Sequence, residues 1–549
     1  MIMARMELSR RAMLGGLAGV AGAAALAACQ PSGGSGGTGG TGGSGRAASG
    51  SFTPPAYVPF EGITPDLPGT EDGVSPGFLS FPNPVIARDG FPLPDTEPVT
   101  ALMQNAPPHI APEKNPAYEA FRRDAGNAMN ATTIISTEYK DKYTVTIAGN
   151  EIPDFMMMEV VPQFPSLLEK YFTDLTDVLG GDGVKAYPAL ANIPTPTWQI
   201  PTINGRLWGI SQPRPPAGRI LSTRGDLLEA KGLPANPEPA DGAEFVELLA
   251  ALTDKGQNQF ALGADPVGWV LRGVLEMMGA PNVWAMDGDT FVSQIASEQM
   301  KDALNETGKI VQAGYLHPNS FSDPGQNGAW WTAGTTAMMF QGFTGWGTFA
   351  RQHPDWKVGY VRLPTWDGSA KASIYRSQAG YYSFVGIKKQ SSDKRLEELL
   401  KLADLIASPF GTQQFLDVNY GAEGVTYEMK DGNPEFLENA SDNTIKGWPY
   451  LGGNAQAVLF APGQDDLIRA QHTYLSEVMT EGVDDASNGL YSETSVTKGA
   501  TFGSKMKDVQ RAVMLGEKPM SEWESFVATW QSEVGDTMAA EYAEAKANS

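Results

Sequence analysis

The first 28 residues constrain this chain most, because they are arranged as an export signal and not as part of a fold. Residues 1–11 are short and basic, and residues 14–28 are an unbroken apolar run of Leu, Ala, Gly and Val. A basic head, an apolar core and small residues before a cut site form a secretory signal. The apolar run is shorter than the roughly 20 residues that span a bilayer. We therefore predict a cleaved signal peptide over 1–28 and a folded part that works outside the cytoplasm.

Two short motifs in this leader indicate the export route and the fate of the cut site. Residues 9–14 (SRRAML) resemble the twin-arginine signal with Met in place of Phe, and both this route and the general secretory route stay open. Residues 26–29 (LAAC) resemble the lipobox of bacterial lipoproteins, which implies that Cys29 is acylated. Cys29 is the one cysteine of 549 residues, so the chain forms no internal disulfide and no cysteine metal site. We expect a lipid anchor on the outer face of the cytoplasmic membrane.

Residues 29–96 are predicted to be a lipidated tether between the membrane and the body. Residues 33–45 consist almost entirely of Gly with Ser and Thr, a composition that cannot bury a core. Prolines are then frequent up to residue 94 and prevent long regular elements. Four aromatic side chains, Phe60, Phe78, Phe81 and Phe91, suggest that part of this stretch packs on the body.

The charge of the chain excludes some classes of partner. The formal net charge is −23. Such an acidic protein is poorly suited to phosphate backbones, so we predict no nucleic acid partner. Anionic headgroups would also repel it, so the predicted lipid and not electrostatic attraction must hold it at the membrane.

The remaining 450 or so residues are enough for two ordinary domains, and their pattern predicts an α/β fold with mostly parallel sheets. Apolar spacing predicts helices over 245–252, 298–313 and 395–406. Alternating or β-branched runs predict strands over 143–148, 357–361 and 382–387. No internal repeat of solenoid period is present in the sequence.

Six segments in the same order resemble the extracellular solute-binding proteins of ABC importers, sugar-binding branch, and most closely the large lipoprotein members. They are 148–154 (AGNEIPD), 204–210 (NGRLWGI), 223–228 (TRGDLL), 287–318 (DGDTF to GYLHP), 334–346 (GTTAMM to GW) and 407–428 (ASPFG to NYGAEGVTYE). The resemblance implies a two-lobed periplasmic-binding-protein-like fold of type II with a ligand cleft and a hinge crossed more than once. We expect the first lobe at 97–213 with roughly 372–410, and the second at 214–371 with roughly 411–549.

The same resemblance implies a function. A membrane-anchored binding lipoprotein would capture a carbohydrate, with an oligosaccharide favoured, by lobe closure and deliver it to the permease subunits of an ABC transporter. It would act as a monomer, without a metal and without a cofactor, and would not be an enzyme.

A sugar site needs aromatic rings for the apolar face of the sugar and polar side chains for its hydroxyl rim. The predicted ligand-binding residues are Asp154, Trp331, Trp346, Arg376, Gln378, Tyr381, Trp448 and Tyr450. Each has a plainer interpretation. A Trp in a large protein usually packs in a core, Asp154 could cap a helix, and Arg376 could belong to a structural ion pair.

Two functions from other classes remain open at this point. An anchored glycoside-active enzyme would use a pair of carboxylates, for which no sequence spacing is required. A surface adhesion lipoprotein would bind no small molecule. The four histidines, at 109, 317, 353 and 472, lack the spacing of a zinc hydrolase.

Overall fold

Two hydrophobic clusters, each around its own four-stranded sheet, divide the folded chain into two lobes. The computed structural model describes residues 52–70, 73–126, 129–377, 383–438, 440 and 443–549. The first cluster joins residues of 99–210 with residues of 384–451. The second cluster joins residues of 221–375 with residues of 513–523. We call these two bodies the first lobe and the second lobe.

The helices within the described ranges are numbered in chain order. They are α1 (Pro116–Ala125), α2 (Ser136–Ala148), α3 (Phe164–Tyr171), α4 (Thr176–Leu179), α5 (Pro188–Ala191), α6 (Gly225–Ala230), α7 (Gly242–Leu252), α8 (Leu271–Met277), α9 (Glu298–Ala313), α10 (Asn327–Thr332), α11 (Phe343–Gln352), α12 (Asp393–Ile406), α13 (Gln413–Asn419), α14 (Asp465–Val478), α15 (Glu493–Met514), α16 (Met520–Trp530) and α17 (Asp536–Ala547). A π-type turn, Pro266–Val270, leads directly into α8, and a second, Gln531–Gly535, leads into α17.

Most of the strands are short. They are β1 (Gly77–Phe78), β2 (Val99–Gln104), β3 (Met129–Ile134), β4 (Phe155–Met157), β5 (Thr202–Ile203), β6 (Arg206–Leu207), β7 (Arg219–Thr223), β8 (Phe260–Leu262), β9 (Trp284–Asp287), β10 (Thr290–Ser293), β11 (Thr336–Gly342), β12 (Gly359–Tyr360), β13 (Val385–Ile387), β14 (Tyr427–Lys430), β15 (Asn433–Phe436) and β16 (Leu459–Phe460).

The sheet of the first lobe has the strand order β13-β4-β2-β3. Strands β2, β3 and β4 are parallel, and β13 runs antiparallel to β4. All three residues of β4 are buried, as expected for a strand covered on both faces. The predicted parallel α/β arrangement is confirmed in this lobe.

The sheet of the second lobe has the order β12-β7-β11-β8 and is mixed. Strands β11 and β8 are parallel, whereas β7 is antiparallel to both β11 and β12. The prediction of mostly parallel pairing therefore does not describe this sheet. Strand β7 enters directly from the first lobe, so it needs no crossover helix to reach its place between β12 and β11.

Three segments connect the lobes, near residues 211–218, 377–383 and 452–458. The described residues that flank the first two segments lie side by side, since the Ser377 backbone N–H donates to the Pro216 carbonyl (3.0 Å) and Ile210 pairs with Val385. The third leaves the first lobe after Leu451, which still belongs to the first hydrophobic cluster. The chain thus returns to the second lobe near 452–458, later than the predicted boundary at 410–411.

The predicted helices form because their capping residues and apolar stripes agree. In α9, Ser297 accepts the N–H of Met300 at the first turn, and Gly314 ends the helix at φ 73. In α12, Ser392 accepts the N–H of Arg395. Each helix buries one face against its lobe. The predictions over 298–313, 395–406 and 245–252 are confirmed.

The strand predicted over 143–148 is wrong, because these residues form the last two turns of α2. Tyr139, Tyr143 and Thr146 are the buried residues of α2 and recur at helical spacing. Val145 points outward and is 66% exposed. The β-branched residues of this segment favour a strand only weakly, and the buried tyrosine stripe overrides that preference. Of the two other predicted strands, β12 forms the centre of 357–361 and β13 the last three residues of 382–387.

Residues 52–96, predicted as part of the tether, lie against both lobes where the structure describes them, and we call them the N-terminal arm. The Ala56 N–H donates to the Gly181 carbonyl of the first lobe (2.9 Å). Further along, Val74 is buried in a cluster with Phe343 and Trp346 of the second lobe. Strand β1 then pairs in parallel with β16, next to the third connecting segment. The arm therefore touches both lobes and the connection between them.

A buried ion pair holds the returning part of the arm to the first lobe. The Arg88 guanidinium donates to the Asp404 carboxylate and to the Ser408 hydroxyl. The two charged side chains are 6% and 8% exposed. The other oxygen of Asp404 accepts the N–H groups of Ala189 (2.7 Å) and Leu190 (3.1 Å), so the carboxylate is fully hydrogen-bonded.

Replacing Arg88 by Met should lower the free energy of unfolding by about 3–5 kcal/mol, because it leaves the Asp404 charge buried without its counter-ion. Chemical denaturation of the variant and the parent measures the difference. Arg469→Met is the control, since Arg469 is exposed on α14 and its loss should change stability by no more than ~0.5 kcal/mol. Equal stability of the Arg88 variant and the parent would show that the arm is not held by this pair.

The predicted signal peptide and Cys29 lie outside the described residues. Within the described part of the chain, no helix has both the length and the apolar character needed to cross a membrane.

Candidate ligand-binding cleft

In the first lobe, the residues that follow the parallel strands share one edge of the sheet. Strands β2, β3 and β4 end at Gln104, Ile134 and Met157. Ligands of open α/β sheets bind outside the carboxyl ends of the strands. This edge is therefore the natural place for a site in the first lobe.

The side chains at this edge combine apolar surface with one carboxylate. Ile135 follows β3 and is 42% exposed, and Val160 follows β4 and is 49% exposed. Glu159, the residue before Val160, is half-buried. Burial raises the pKa of its carboxyl group, while Lys140 opposes the shift. Exposed aliphatic side chains beside a partly desolvated carboxylate can cover an apolar ligand face and accept hydroxyl protons.

In the second lobe, the residues after β8 build the corresponding edge. Asp265 accepts the N–H of Val267 and thereby starts the π-type turn Pro266–Val270. The turn carries Trp269, which is half-buried, and continues into α8 with Arg272. Thr344, which follows the parallel strand β11, is exposed. An aromatic ring, a cation and a hydroxyl thus lie at the carboxyl ends of β8 and β11.

A buried ion pair fixes this edge to the connecting segments. Arg219, the first residue of β7, donates to Glu276 of α8 (2.7 Å) and to the Trp269 carbonyl (3.1 Å). The second oxygen of Glu276 accepts the N–H of Tyr375 (3.0 Å), just before the second connecting segment. Both charged side chains are almost fully buried, at 8% and 4% exposure. The turn that carries Trp269 is therefore anchored from two sides.

The two lobes touch through a segment of the second lobe that reaches the carboxyl end of β4. The Tyr491 hydroxyl donates to the Glu493 carboxylate and lies 3.3 Å from the Val161 carbonyl, and the Tyr491 ring packs against the first hydrophobic cluster. Glu493 accepts the N–H of Gln163 (2.8 Å), the residue that precedes α3. Asn204, in the β5–β6 turn, accepts the N–H of Tyr491 (3.2 Å). We call these contacts the interlobe latch.

The charges in the latch are matched to their surroundings. The Glu493 carboxylate lies at the N-terminus of α3, where backbone N–H groups favour a negative charge. Hydrogen bonds from the Tyr491 hydroxyl and the Gln163 N–H lower the pKa of Glu493. Burial, together with the Glu493 charge, raises the pKa of Tyr491 to about 12, so the phenol stays protonated and donates.

Replacing Glu493 by Ala should weaken the latch, because the N–H of Gln163 and the hydroxyl of Tyr491 lose their charged acceptor. We expect the equilibrium to move toward separated lobes by about 1–3 kcal/mol. Small-angle X-ray scattering without ligand should then show a larger radius of gyration than for the parent. Glu544→Ala, at an exposed position of α17, should leave it unchanged. An unchanged radius for the Glu493 variant would mean that this contact does not hold the lobes together.

The latch should also respond to acid. The pKa of Glu493 is lowered in the contact. Glu493 therefore stabilises the latch fully at pH values above the ordinary glutamate pKa, and this stabilisation is lost as the pH falls through the lowered pKa. The radius of gyration of the parent should rise on acidification into this range. Glu493→Ala should show a smaller rise over the same pH interval, whereas identical pH profiles would contradict the assignment.

Three of the sequence-predicted site residues lie inside the lobes. Trp331 and Trp448 are 0% exposed, and Trp346 is 1% exposed. The Trp346 indole N–H donates to the Val358 carbonyl (3.0 Å), and its ring packs against Phe343. Rings enclosed in this way present no face to a ligand in this conformation. They match the plainer interpretation, in which a Trp of a large protein packs in a core.

Asp154 and Arg376 are likewise engaged in contacts within their own lobes. Asp154 precedes β4 and accepts both the N–H and the hydroxyl of Thr100 (2.9 Å each), at the amino ends of the strands. That is the edge opposite to the carboxyl ends where ligands bind. Arg376 pairs with Asp484 (3.1 Å) and donates to the Met479 carbonyl. The structure thus gives both residues structural partners.

Of the three remaining predicted residues, the structure describes Tyr450. Gln378 and Tyr381 lie outside the described residues. Tyr450 is half-buried and packs against the first hydrophobic cluster shortly before the third connecting segment. No group of three His, Cys, Asp or Glu side chains that could hold a metal ion is present among the residues described.

Sequence reasoning missed the side chains at the two carboxyl edges. Ile135, Glu159 and Val160 in the first lobe and Trp269 and Arg272 in the second were not predicted. The available signal was position, because Ile135, Glu159 and Val160 follow a strand of their sheet within three residues, and Trp269 and Arg272 follow β8 through the turn Pro266–Val270. The strand β8 is only three residues long, however, so its end could not be located from the sequence.

A second concave site lies beneath the N-terminal arm. It is a cavity of about 370 Å³ between the arm and residues of the first and third connecting segments. Its walls include Tyr57, Phe60 and Phe78 of the arm and Phe410 of the first lobe, with many prolines. The walls also carry hydrogen-bonding side chains, among them Asn192, Arg214 and Asn454.

Comparison with known proteins adds relatives from Bacillus subtilis. The chain is 23% identical to Lipoprotein LipO over 464 residues, which is 78% of this chain and 88% of the relative. It is 21% identical to the polygalacturonan/rhamnogalacturonan-binding protein YtcQ over 460 residues, which is 80% of this chain and 89% of that protein.

Solved structures share the fold. The HMO-binding, ABC-transporter-associated solute-binding protein of Bifidobacterium longum infantis superposes with a TM-score of 0.60 at 14% identity, covering 83% of this chain and 99% of that chain. The two-lobed binding-protein architecture is thereby confirmed. Residues 117–439, more than half of the chain, match the family described as bacterial extracellular solute-binding protein. The chain belongs to the bacterial extracellular solute-binding protein family.

Proposed function

We propose that this protein captures an oligosaccharide between its lobes and delivers it to the permease subunits of an ABC transporter. One observation carries the proposal: the carboxyl edge of each lobe presents partly exposed apolar surface beside a charged group. Val160 and Glu159 form this combination in the first lobe, and Trp269 and Arg272 form it in the second. A sugar offers the complementary surface, an apolar ring face with a rim of hydroxyls.

These side chains give each lobe a different part in binding the ligand. The Trp269 ring stacks on one sugar face, while the aliphatic side chains Ile135 and Val160 cover another unit of the ligand. Glu159 accepts hydrogen bonds from hydroxyls at the rim. A ligand that spans both edges gains contacts only when the lobes are closed, so its binding shifts the population toward the closed form.

The interlobe latch supplies part of the free energy of this closure. Its hydrogen bonds join the lobes without ligand, so the ligand has to supply only the rest of the closing free energy. A ligand shifts such an equilibrium by its difference in affinity for the two forms and by nothing else. The closed form is the one that would dock on a permease.

Binding without turnover agrees with the chemistry at the two edges. Glycoside hydrolysis requires two carboxyl groups on either side of the scissile bond, about 5–9.5 Å apart. Of the carboxylates named at these edges, Asp265 is engaged as a helix cap and Glu276 in an ion pair, which leaves Glu159. We therefore assign binding and not hydrolysis. The name of the relative YtcQ, a polysaccharide-binding protein, supports the same class of ligand.

The place of action follows from the leader and from the relatives. We infer that Cys29 carries the lipid and holds a monomer on the outer face of the cytoplasmic membrane. The lipobox-like residues 26–29 and the relative LipO, a lipoprotein, support this anchor. Metabolic labelling with a radioactive fatty acid should mark the parent chain and not Cys29→Ala, and labelling of both would contradict the anchor.

Thermal unfolding with a panel of neutral and acidic oligosaccharides tests the proposed function. A ligand that binds only the folded state at 100 times its Kd adds about 2.7 kcal/mol, which raises the Tm of a chain of this size by a few degrees. A shift with one glycan class is the expected result. No shift with any glycan, together with release of reducing sugar, would instead indicate a glycoside-active enzyme.

Trp269→Ala should weaken the binding of that glycan by about tenfold or more, because the stacking surface of the second lobe is lost. Trp366→Ala is the matched control. Trp366 is also a half-buried tryptophan of the second lobe, but its backbone N–H donates to the Met277 carbonyl at the far end of α8 (2.6 Å). Titration calorimetry compares the two variants with the parent, and an equal loss in both would remove Trp269 from the site.

A further inference from the structure

Arg272 is a partly buried cation whose guanidinium makes no hydrogen bond to the residues that the structure describes. It lies on α8, three residues after Trp269, and its guanidinium carbon is 5.4 Å from the centre of the Tyr375 ring. Its Nε atom is buried and donates to no acceptor within the described residues. No carboxylate of the described chain forms an ion pair with it, whereas the neighbouring Arg219 pairs with Glu276.

The carboxylates nearest to Arg272 are engaged elsewhere. Glu276 uses one oxygen for Arg219 and the other for the backbone of Tyr375. Asp485 accepts the N–H (2.9 Å) and the hydroxyl (2.8 Å) of Ser487. Burial, and secondly the neighbouring Arg219, lower the pKa of Arg272. A guanidinium in this position is costly to the folded protein unless an anion joins it.

The position of Arg272 connects this cation to the cleft. The turn before it carries Trp269 at the carboxyl end of β8. The segment that contains Asp485 continues to Gly489, whose carbonyl accepts the Asn204 N–H of the first lobe (3.0 Å). Arg272 thus lies between the proposed stacking surface and the interlobe latch, where a ligand held by both lobes would pass.

We propose that Arg272 binds a carboxylate of the ligand, so that the protein selects acidic oligosaccharides over neutral ones. This inference rests on the proposed function and names its substrate class. The planar guanidinium matches the two oxygens of a carboxylate, and a charged hydrogen-bonded pair in a partly desolvated site is strong. Both uronic acids and sialic acids carry such a group.

The overall charge of the protein makes a local cation necessary for this selection. The chain has a formal net charge of −23, so its long-range field repels an anionic sugar. A carboxylate is therefore retained only where a nearby cation outweighs this field at short distance. Arg272, which has no carboxylate bonded to it among the described residues, meets this requirement.

Titration calorimetry of the full chain in detergent tests the inference with four probes. They are trigalacturonate, its fully methyl-esterified form, sialyllactose and maltotriose. The parent should bind at least one of the two acids, and for trigalacturonate should prefer the acid to its ester. Comparison of trigalacturonate with sialyllactose tells which kind of sugar acid the site accepts. The acid–ester comparison uses the parent alone and does not depend on the folding of a variant.

Variants then assign the preference to one side chain. Arg272→Met should weaken binding of the preferred acid on the order of 10- to 100-fold, and by a clearly larger factor than it weakens binding of a neutral sugar. Arg272→Lys, which keeps the charge but loses the planar fork, should fall between Met and the parent. Arg511→Met is the matched control, since the Arg511 guanidinium carbon lies the same 5.4 Å from an aromatic ring, that of Phe321, on an exposed part of α15.

The outcomes separate this inference from the proposed function. If neutral sugars bind and acids bind no better, or if Arg272→Met loses acid and neutral sugars equally, the acidic selection is refuted and sugar binding stands. If none of the four probes nor any glycan of the wider panel binds, the proposed function fails and this inference fails with it. A loss in Arg511→Met equal to that in Arg272→Met would likewise overturn the assignment.

Discussion

The buried ion pair between Arg219 and Glu276 determines how the second lobe is joined to the first. Arg219 is the first residue after one connecting segment, and Glu276 holds the backbone of Tyr375 just before another. The same guanidinium holds the carbonyl of Trp269. A charge pair that is almost fully buried tolerates little displacement, because either partner alone would be left uncompensated. The candidate binding edge of the second lobe is therefore fixed to the two connecting segments.

The contacts between the lobes are fewer and bury less apolar surface than the contacts within each lobe. Each lobe has its own hydrophobic cluster, whereas the described contacts of the latch are a few hydrogen bonds and one packed tyrosine. The N-terminal arm adds further contacts to both lobes and a strand beside the third connecting segment. A receptor that closes on its ligand requires strong interactions within each lobe and few between the lobes. A ligand can then shift the equilibrium between separated and closed lobes with a few kcal/mol.

The fold could be predicted from the sequence where local and long-range signals agree. Helix α9 was predicted at its observed bounds from its apolar stripe, and the serine cap and terminal glycine of the structure agree with that stripe. Helix α2 was mistaken for a strand because its β-branched residues concealed a buried tyrosine stripe. The mixed pairing in the second lobe could not be predicted either, since the direction of β7 depends on its arrival from the first lobe and not on its own residues.

The site was harder to predict than the fold, because chemistry-bearing residue types are common and position decides their role. Trp331, Trp346 and Trp448 were attractive as aromatic residues in glycine- and proline-rich stretches, yet packing encloses all three. Trp269 is of the same type but follows a three-residue strand and stays partly exposed. Among the described residues Arg272 has no ion-pair partner, because of how neighbouring charges such as Arg219 and Asp485 are engaged. These neighbours are distant in the sequence, Asp485 by more than 200 positions, so no local pattern reveals this.

The account centres on capture of an oligosaccharide by closure of the two lobes, and single-molecule energy transfer between them measures this directly. Cys29 is the one native cysteine, so Cys29→Ala allows two dyes to be placed at Lys394→Cys on α12 and Lys507→Cys on α15. A bound glycan should move the population toward the high-transfer state, and maximal occupancy should leave little of the low-transfer state. An unchanged distribution at a glycan concentration that calorimetry shows to be saturating would contradict capture by closure.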